Sequence, residues 1–199
     1  APEAGKTAEW LLDNDYQVHR ALRQIRQDLP PAFYDRLPPL AGEEEGLPRV
    51  FALAHQLLRL TRMQISLAGA VRFLRAYQKH SPLSIAELWA FPTMLRIACI
   101  EVLVTALTPL FGHCLVLPFR PSKWATEPDA IEETERVARA IANLGLIAAI
   151  PWEDFFDQVS LVEQILRTDP SGFYPRMDFQ TRDRYRRAVE DLARYGTKG

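Results

Sequence analysis

Acidic side chains at two places in the sequence have the spacing of metal-binding or catalytic carboxylates. Asp13-Asn14-Asp15 is a D-x-D sequence, which could hold Mg²⁺ or Mn²⁺ if both carboxylates converged from a loop. The hydrophobic periodicity places it inside a predicted helix, where positions i and i+2 point to different faces, so we expect a solvated surface there. Glu153, Asp154 and Asp157 could include a general acid and a general base. They also follow Pro151 in a predicted first helical turn, where negative charge is favourable, and we expect that simpler role.

Histidine, cysteine and glycine patterns offer little support for catalysis. No pair of histidines has the H-x-x-x-H spacing of a metal site, and the sequence has no P-loop, no G-x-G-x-x-G and no G-x-S-x-G. Cys99 lies among Ile97, Ala98 and Ile100, so we expect a packed thiol rather than a nucleophile. The histidines are His19, His55, His80 and His113.

The most distinctive chemistry is an arginine-rich segment, residues 176–187, with five Arg, two Asp and two aromatic residues. One interpretation is a surface that docks an acidic or phosphorylated partner, because guanidinium groups bind carboxylates and phosphates in a fork. The other is an Arg–Asp network that fastens the last helix to its neighbours, and the interleaved Asp residues favour it. The residues of the predicted docking surface are Arg176, Asp178, Arg182, Asp183, Arg184, Tyr185 and Arg186.

The elements that would position these residues are helical almost throughout. Apolar residues recur with the helical period, and prolines interrupt the pattern because proline lacks the backbone N–H and clashes with a preceding turn. Ser84 and Glu87 have the spacing of a capping box, and Thr181 is the predicted cap of the last helix. The predicted helices cover residues 8–27, 49–62, 67–79, 84 to about 103, 128–147, 152–167 and 181–195. The sequence therefore predicts an all-α, proline-punctuated single domain of about six to eight helices over residues 1–199, with no significant sheet.

The composition is typical of a folded globular protein and argues against nucleic-acid binding. The chain has 199 residues, 48% of them hydrophobic, and a net charge of −1, which excludes disorder and argues against a general nucleic-acid binder. Two cysteines are too few for a disulfide framework and fit a reducing compartment. Because the chain starts Ala1-Pro2-Glu3, without an initiator Met or a signal peptide, we expect a piece excised from a longer protein or a processed product.

An apolar stretch at residues 102–119 contains no Lys, Arg, Asp or Glu, so it is a candidate for a membrane-spanning helix. A spanning helix needs about 20 predominantly apolar residues. Pro109, Gly112 and His113 interrupt this stretch, so a buried helix followed by an apolar connection is the favoured interpretation.

Several ordered phrases together resemble a known family. They include residues 8–14 (AEWLLDN), 82–90 (PLSIAELWA), 159–163 (VSLVE), 174–179 (YPRMDF) and 181–186 (TRDRYR). This set resembles the N-terminal cytoplasmic region of the cyclic β-1,2-glucan synthases, which are large bacterial inner-membrane glycosyltransferases. The resemblance extends over residues 8–195, apart from about 102–129.

The resemblance implies an activity for the parent enzyme rather than for this chain. It implies glucose transfer from UDP-glucose, with Mg or Mn as the metal, to a β-1,2-glucan at the cytoplasmic face of the inner membrane. The family's transferase motifs have no counterpart here, so we expect no catalytic residue, no metal and no cofactor in this chain.

Two classes of function follow. The first is a non-catalytic helical domain that packs on the transferase and transmembrane regions of its own chain. The second is a self-contained interaction module, either a homodimerisation domain or a guide for the glucan. The first class predicts interdomain apolar contacts at Leu110, Phe111, Leu115 and Leu117.

Overall fold

Prolines and capping residues set most of the helix boundaries. The computed structural model describes residues 2–40, 46–111, 121–126 and 131–196. The helices are α1 (Pro2–Asp13), α2 (Asp15–Asp28), α3 (Pro31–Tyr34), α4 (Arg49–Leu60), α5 (Leu67–Gln78), α6 (Ile85–Phe111), α7 (Lys123–Thr126), α8 (Glu133–Ala149), α9 (Trp152–Val159), α10 (Leu161–Leu166) and α11 (Phe179–Gly196). A 3₁₀ turn at Tyr174–Arg176 precedes α11. These described ranges contain one isolated bridge, between Pro39 and Pro48, and no strand, which confirms the all-α prediction.

Two predicted helices are each divided by a short polar break. The helix predicted at 8–27 ends at Asp13 and restarts at Asp15, with the Asn14 side chain donating to the Trp10 carbonyl at 2.9 Å. The helix predicted at 152–167 divides at Ser160, whose hydroxyl accepts from the backbone N–H of Glu163 at 3.2 Å. At each break a side chain, Asn14 or Ser160, forms a hydrogen bond with a backbone group and so competes with the helical hydrogen bonds. Asn and Ser favour helix ends for this reason.

The capping box before α6 is confirmed. The Glu87 carboxylate accepts from the backbone N–H of Ser84 at 2.9 Å, and the Ser84 hydroxyl accepts from the N–H of Glu87 at 3.3 Å. The two residues thereby satisfy backbone donors that the first helical turn leaves free. From this start α6 continues through Pro92 and Pro109 to Phe111, further than predicted.

The first compact unit comprises residues 1–66 and 90–150. In it α2 packs on α8, α4 packs on α7, and α1 packs on both α2 and α8. Its core is aliphatic and aromatic, with α4, the later part of α6 and α8 as the main contributors. Their fully or almost fully buried members include Val50, Phe51, Leu57, Phe91, Met94, Leu95, Cys99, Val137, Ile141 and Ile147.

A left-handed turn in the first unit follows α4. Arg62 and Met63 have φ angles of 48° and 56°, a region that costs an L-residue about 1–2 kcal/mol. The side chain of Asn143, from α8, donates to the Met63 carbonyl at 3.0 Å and accepts from the Ile65 N–H at 3.3 Å. Asn143 is 1% exposed, so this clamp is internal and holds the turn in its unfavourable conformation.

The second compact unit comprises residues 67–89 and 151–199. In it α5 packs on α9, and α10 packs on both α9 and α11. Phe155, Phe156 and Val159 of α9 are buried, and Gln78 at the end of α5 donates to the Val159 carbonyl at 2.8 Å. The prediction of one domain over the whole chain stays a prediction.

One described helix, α6, is long and apolar enough to cross a membrane by length and composition alone. Slightly more than half of its most apolar window, 56%, is buried inside the protein, and core helices of soluble proteins pass the same test. It begins earlier than the stretch singled out in the sequence, whose residues 112–119 lie outside the described ones.

Candidate functional site

The arginine-rich segment is positioned by a turn and a helix cap. The Asp169 carboxylate accepts from the backbone N–H groups of Ser171 at 3.0 Å and Tyr174 at 3.3 Å, which closes the turn before the 3₁₀ segment. Asp178 then caps α11, accepting from the Thr181 N–H at 2.9 Å and from its hydroxyl at 2.7 Å. The prediction that Thr181 is the cap was wrong: Asp178 supplies the oxygen and Thr181 the donors.

Glu163 of α10 lies at the centre of an ion cluster in the second unit. Its side chain is fully buried. One carboxylate oxygen accepts from the Tyr174 hydroxyl at 2.6 Å and from Arg186 Nη1 at 2.7 Å. The other accepts from Arg167 Nε at 2.7 Å and from Arg182 Nη1. Every lone pair direction of this carboxylate is thus used, which is what keeps a buried charge tolerable.

Asp157 of α9 is the second acid of the cluster. It lies 2.8 Å from Arg182, 2.9 Å from Arg167 and 3.1 Å from Arg186. The three arginines therefore bridge Asp157 and Glu163, and they come from α11 and from the end of α10. This cluster joins α9, α10 and α11, as the structural interpretation of the arginine-rich segment predicts.

The guanidinium group of Arg186 is enclosed by aromatic rings. Its central carbon lies 4.5 Å from the ring centroid of Phe156 and 4.6 Å from that of Phe179, and the residue has no exposed surface. Nε and Nη2 have no hydrogen-bond partner. Because two aromatic faces lie this close to the cation, cation–π attraction compensates part of the charge that these nitrogens carry.

Electrostatics inside the cluster keep Glu163 ionised. Burial alone would raise the pKa of its carboxyl, but hydrogen bonds from Tyr174, Arg186 and Arg167 outweigh it and hold the pKa below the ordinary value. Burial and the hydrogen bond to Glu163 raise the pKa of the Tyr174 hydroxyl, which therefore stays a donor at neutral pH. The cluster thus pairs three guanidinium groups with two carboxylates, and Glu163 and Tyr174 each keep one protonation state at neutral pH.

The seven residues of the predicted docking surface fall into two groups. Arg182, Asp183 and Arg186 have side chains 11%, 13% and 0% exposed and belong to the cluster or its border. The remaining four are exposed: Arg176, Asp178, Arg184 and Tyr185. A docking role for this segment stays a prediction. Of the seven residues, these four have the exposed side chains that could contact a partner. Asp178 is the helix cap among them.

The predicted interdomain apolar contacts are only partly described. Leu110 and Phe111 end α6 and are half-buried. Leu115 and Leu117 lie outside the described residues, as do His113 and Cys114.

The other acidic candidates do not converge. Asp13 ends α1 and Asp15 begins α2, so the D-x-D sequence lies at a helix junction rather than inside a helix, and both carboxylates are exposed. Glu153 and Asp154 are exposed in the first turn of α9, whereas Asp157 points into the ion cluster. Across the part of the chain that the structure describes, no three His, Cys, Asp or Glu residues are placed to hold a metal ion. Cys99 is buried, and burial raises the pKa of its thiol, as expected of a packed cysteine.

One polar group that the sequence did not predict lies in the first unit. His55 Nε2 is 3.0 Å from Glu101 Oε2, and the Ser122 hydroxyl donates to the same carboxylate oxygen at 2.6 Å. All three residues are buried. In a hydrolytic triad the acid and the serine contact opposite nitrogens of the imidazole. Here both lie at Nε2, and the serine donates directly to the acid, so the arrangement is structural.

Two surface grooves lie in the second unit. A groove of about 650 Å³ is lined by Ile165, Phe173, Tyr174 and Tyr185 among others. Phe173 is 65% exposed and Tyr185 49%, so the groove presents accessible aromatic faces. A groove of about 420 Å³ has Trp89, Gln180, Arg184 and Arg187 in its walls.

Comparison with known proteins finds one significant relation. No protein-family model matches the chain. Over 94 residues the chain is 38% identical to the cyclic beta-(1,2)-glucan synthase NdvB of Rhizobium meliloti (strain 1021). The matched segment is 47% of this chain and 3% of that protein. The similarity supports a relation to that family.

Proposed function

We propose that this chain is a non-catalytic helical part of a cyclic β-1,2-glucan synthase, starting from its relation to NdvB. The observation that carries the proposal is the 38% identity over 94 residues. Because those residues are only 3% of the relative, the activity of the whole protein is attributed to the parent of this chain and not to the chain itself. That activity is transfer of glucose from UDP-glucose, with Mg or Mn, at the cytoplasmic face of the inner membrane.

The chemistry of the described residues supports a non-catalytic role. A glycosyl transfer or hydrolysis site needs carboxylates that face substrate with a shifted proton affinity or a bound metal. Two carboxylates of the second unit, the largely buried Asp157 and the fully buried Glu163, instead face three arginines. The buried carboxylate of the first unit, Glu101, faces His55 and Ser122. All three are used in holding helices together.

A role in assembly is supported by the exposed residues of α11 and its approach. Arg176, Arg184 and Tyr185 are exposed beside the ion cluster, and Leu192 further along α11 is 71% exposed. A rigid helix that presents aromatic, aliphatic and arginine side chains has the composition of a protein interface. We infer that this face contacts another region of the synthase.

The catalytic question is tested by titrating the purified chain with UDP-glucose and Mg²⁺ in a calorimeter. We expect no saturable binding. Micromolar binding would overturn the non-catalytic proposal.

The assembly role is tested in the full-length enzyme with Arg184→Ala combined with Tyr185→Ala. Arg184 is exposed, and Tyr185 is half-exposed with its ring edge-on to Tyr174 at a centroid distance of 6.2 Å. The isolated chain should therefore stay folded and lose no more than about 1.5 kcal/mol of unfolding free energy, while glucan yield or recovery of assembled enzyme falls. Arg23→Ala, an exposed arginine on α2, is the matched control. Normal glucan synthesis by the double variant would count against docking through this face. Arg186→Ala would not test docking, because Arg186 is internal.

A second candidate is a self-contained module that guides the glucan or dimerises. The groove with exposed Phe173 and Tyr185 favours a glucan guide, because aromatic faces pack against the apolar faces of sugar rings. Titration with a linear β-1,2-glucan distinguishes this candidate: saturable binding lost in Phe173→Ala supports it, and no binding removes it. Light scattering of the purified chain tests the homodimer.

A further inference from the structure

A small cavity in the first unit has two arginines in its wall. It lies among α2, α6 and α8 and has a volume of about 60 Å³. Its polar lining residues are Gln17, Arg20, Gln24 and Arg96, and the others are aliphatic. A single water needs about 10–15 Å³ of such volume, so the cavity admits about four to six oxygen-sized atoms. That is the size of a tetrahedral oxyanion.

Arg96 is buried in this wall with most of its donors unused. It is 8% exposed, and its contacts within the described ranges are all made by Nη1, 3.6 Å from Asp28 and 3.5 Å from the Thr93 hydroxyl. The Asp28 carboxylate is shared, because Gln24 donates to it at 2.9 Å and Thr93 at 3.4 Å. A guanidinium group has five N–H donors. The long contact to Asp28 therefore leaves Arg96 able to bind a further acceptor.

Arg20 adds a second positive charge to the same cavity. Burial lowers the pKa of the Arg96 guanidinium, Asp28 opposes this effect, and the nearby Arg20 lowers the pKa further. Arg20 has no hydrogen bond or ion pair to any residue that the structure describes. Two guanidinium groups, Arg20 and Arg96, line the cavity, and of the two only Arg96 has a carboxylate of a described residue, that of Asp28, within 4 Å. An enclosed anion would relieve the repulsion between the two arginines.

We propose that this cavity binds inorganic phosphate, with Arg20 and Arg96 as its cationic ligands. Planar guanidinium forks match the oxygens of phosphate, and a partly enclosed wall strengthens each contact relative to water. Gln17 contributes a polar side chain to the same wall, and its amide nitrogen donates to the Tyr16 hydroxyl at 3.0 Å. This site is independent of the proposed role in a glucan synthase.

The test is a calorimetric titration of the purified chain with phosphate at pH 7.5 and constant ionic strength, with chloride as the replacing anion. We expect saturable binding, weakened about tenfold or more by Arg20→Ala, since one charge-assisted contact is lost. Arg20 is exposed at the cavity mouth, so this variant should fold normally. The matched control is Arg26→Ala, an exposed arginine of the same helix outside the cavity, for which affinity should change less than about twofold.

The other arms of the experiment separate the sources of the anion. Sulfate, a tetrahedral oxyanion of similar size and charge, should bind comparably to phosphate, and UDP should bind no better than phosphate, because the cavity has room for the oxyanion alone. Three results would overturn the proposal. They are no saturable binding of phosphate, an equal loss of affinity in Arg20→Ala and Arg26→Ala, and tighter binding of UDP than of phosphate.

Discussion

Removing the charge of Glu163 should destabilise the second unit strongly. In Glu163→Gln the carboxylate that accepts from Tyr174, Arg167, Arg182 and Arg186 becomes a neutral amide. Breaking a buried ion pair by removing one partner costs about 3–5 kcal/mol, because the other charge remains buried. Asp157 still compensates part of the positive charge, so we expect the lower end, about 3 kcal/mol.

The assay is urea unfolding of the purified chain, followed by tryptophan fluorescence and far-UV circular dichroism. Trp89 stacks on Phe156 at a centroid distance of 5.0 Å, and Phe156 covers Arg186, so the Trp89 contribution to the fluorescence of the four tryptophans reports on the cluster. The control is Glu153→Gln, an exposed acid in the first turn of α9, which should lower the unfolding free energy by no more than about 1 kcal/mol, the size of a helix-dipole contribution.

The double variant Glu163→Gln with Arg186→Met completes the cycle. Removing both charges should cost less than the sum of the single changes by about 0.5–3 kcal/mol, since the unpaired cation is then gone. The reasoning would be refuted if Glu163→Gln unfolded like Glu153→Gln, or if the two single losses simply added.

Three further predictions concern pH, capping and backbone strain. The pKa of Glu163 is lower in the folded chain than its ordinary value of 4.5, so its ionised form stabilises the fold. This contribution to the unfolding free energy is complete above pH 4.5 and should be lost as the pH falls through the folded pKa. Urea midpoints between pH 6 and 3 should therefore fall more for the wild type than for Glu163→Gln. Ser84→Ala should lower the unfolding free energy by about 1 kcal/mol and Ser84→Gly by a few tenths, since glycine is a tolerated cap; equal losses in the two variants would argue against the capping box. Arg62→Gly should be neutral or stabilise by up to about 1 kcal/mol, whereas Arg62→Val should destabilise by more than about 1 kcal/mol in the same assay, because φ is 48° there; similar values would show that the turn is not strained.

Local signals in the sequence predict a helix boundary well where capping residues determine it. The α6 capping box follows from two side chains that lie three residues apart, Ser84 and Glu87. The division at Ser160 could have been predicted in the same way, because Ser160 and Glu163 repeat the spacing of Ser84 and Glu87. The division at Asn14 had a weaker signal, an Asn between two Asp residues, and the periodicity of the flanking residues masked it.

The candidate site was predictable only in composition. Interleaved Arg and Asp residues in segment 176–187 indicated an ion network, but nothing local identifies Glu163 as its central acid, 19 to 23 residues away from Arg182 and Arg186. The group of His55, Glu101 and Ser122 is hidden for the same reason, since 46 residues separate the first two. Such pairings depend on how helices pack, and helical periodicity carries no information about partners.

The interleaving of the two compact units has a consequence for synthesis on the ribosome. The first unit needs residues 1–66 and 90–150, and the second needs 67–89 and 151–199, so neither is one continuous piece of chain. The Arg62–Met63 turn emerges about 80 residues before its clamp Asn143. Contacts across such separations form late, because loop closure precedes their stabilisation. We therefore expect nascent chains that stop near residue 66 or residue 89 to remain sensitive to protease, with protection acquired only after α8 has left the exit tunnel.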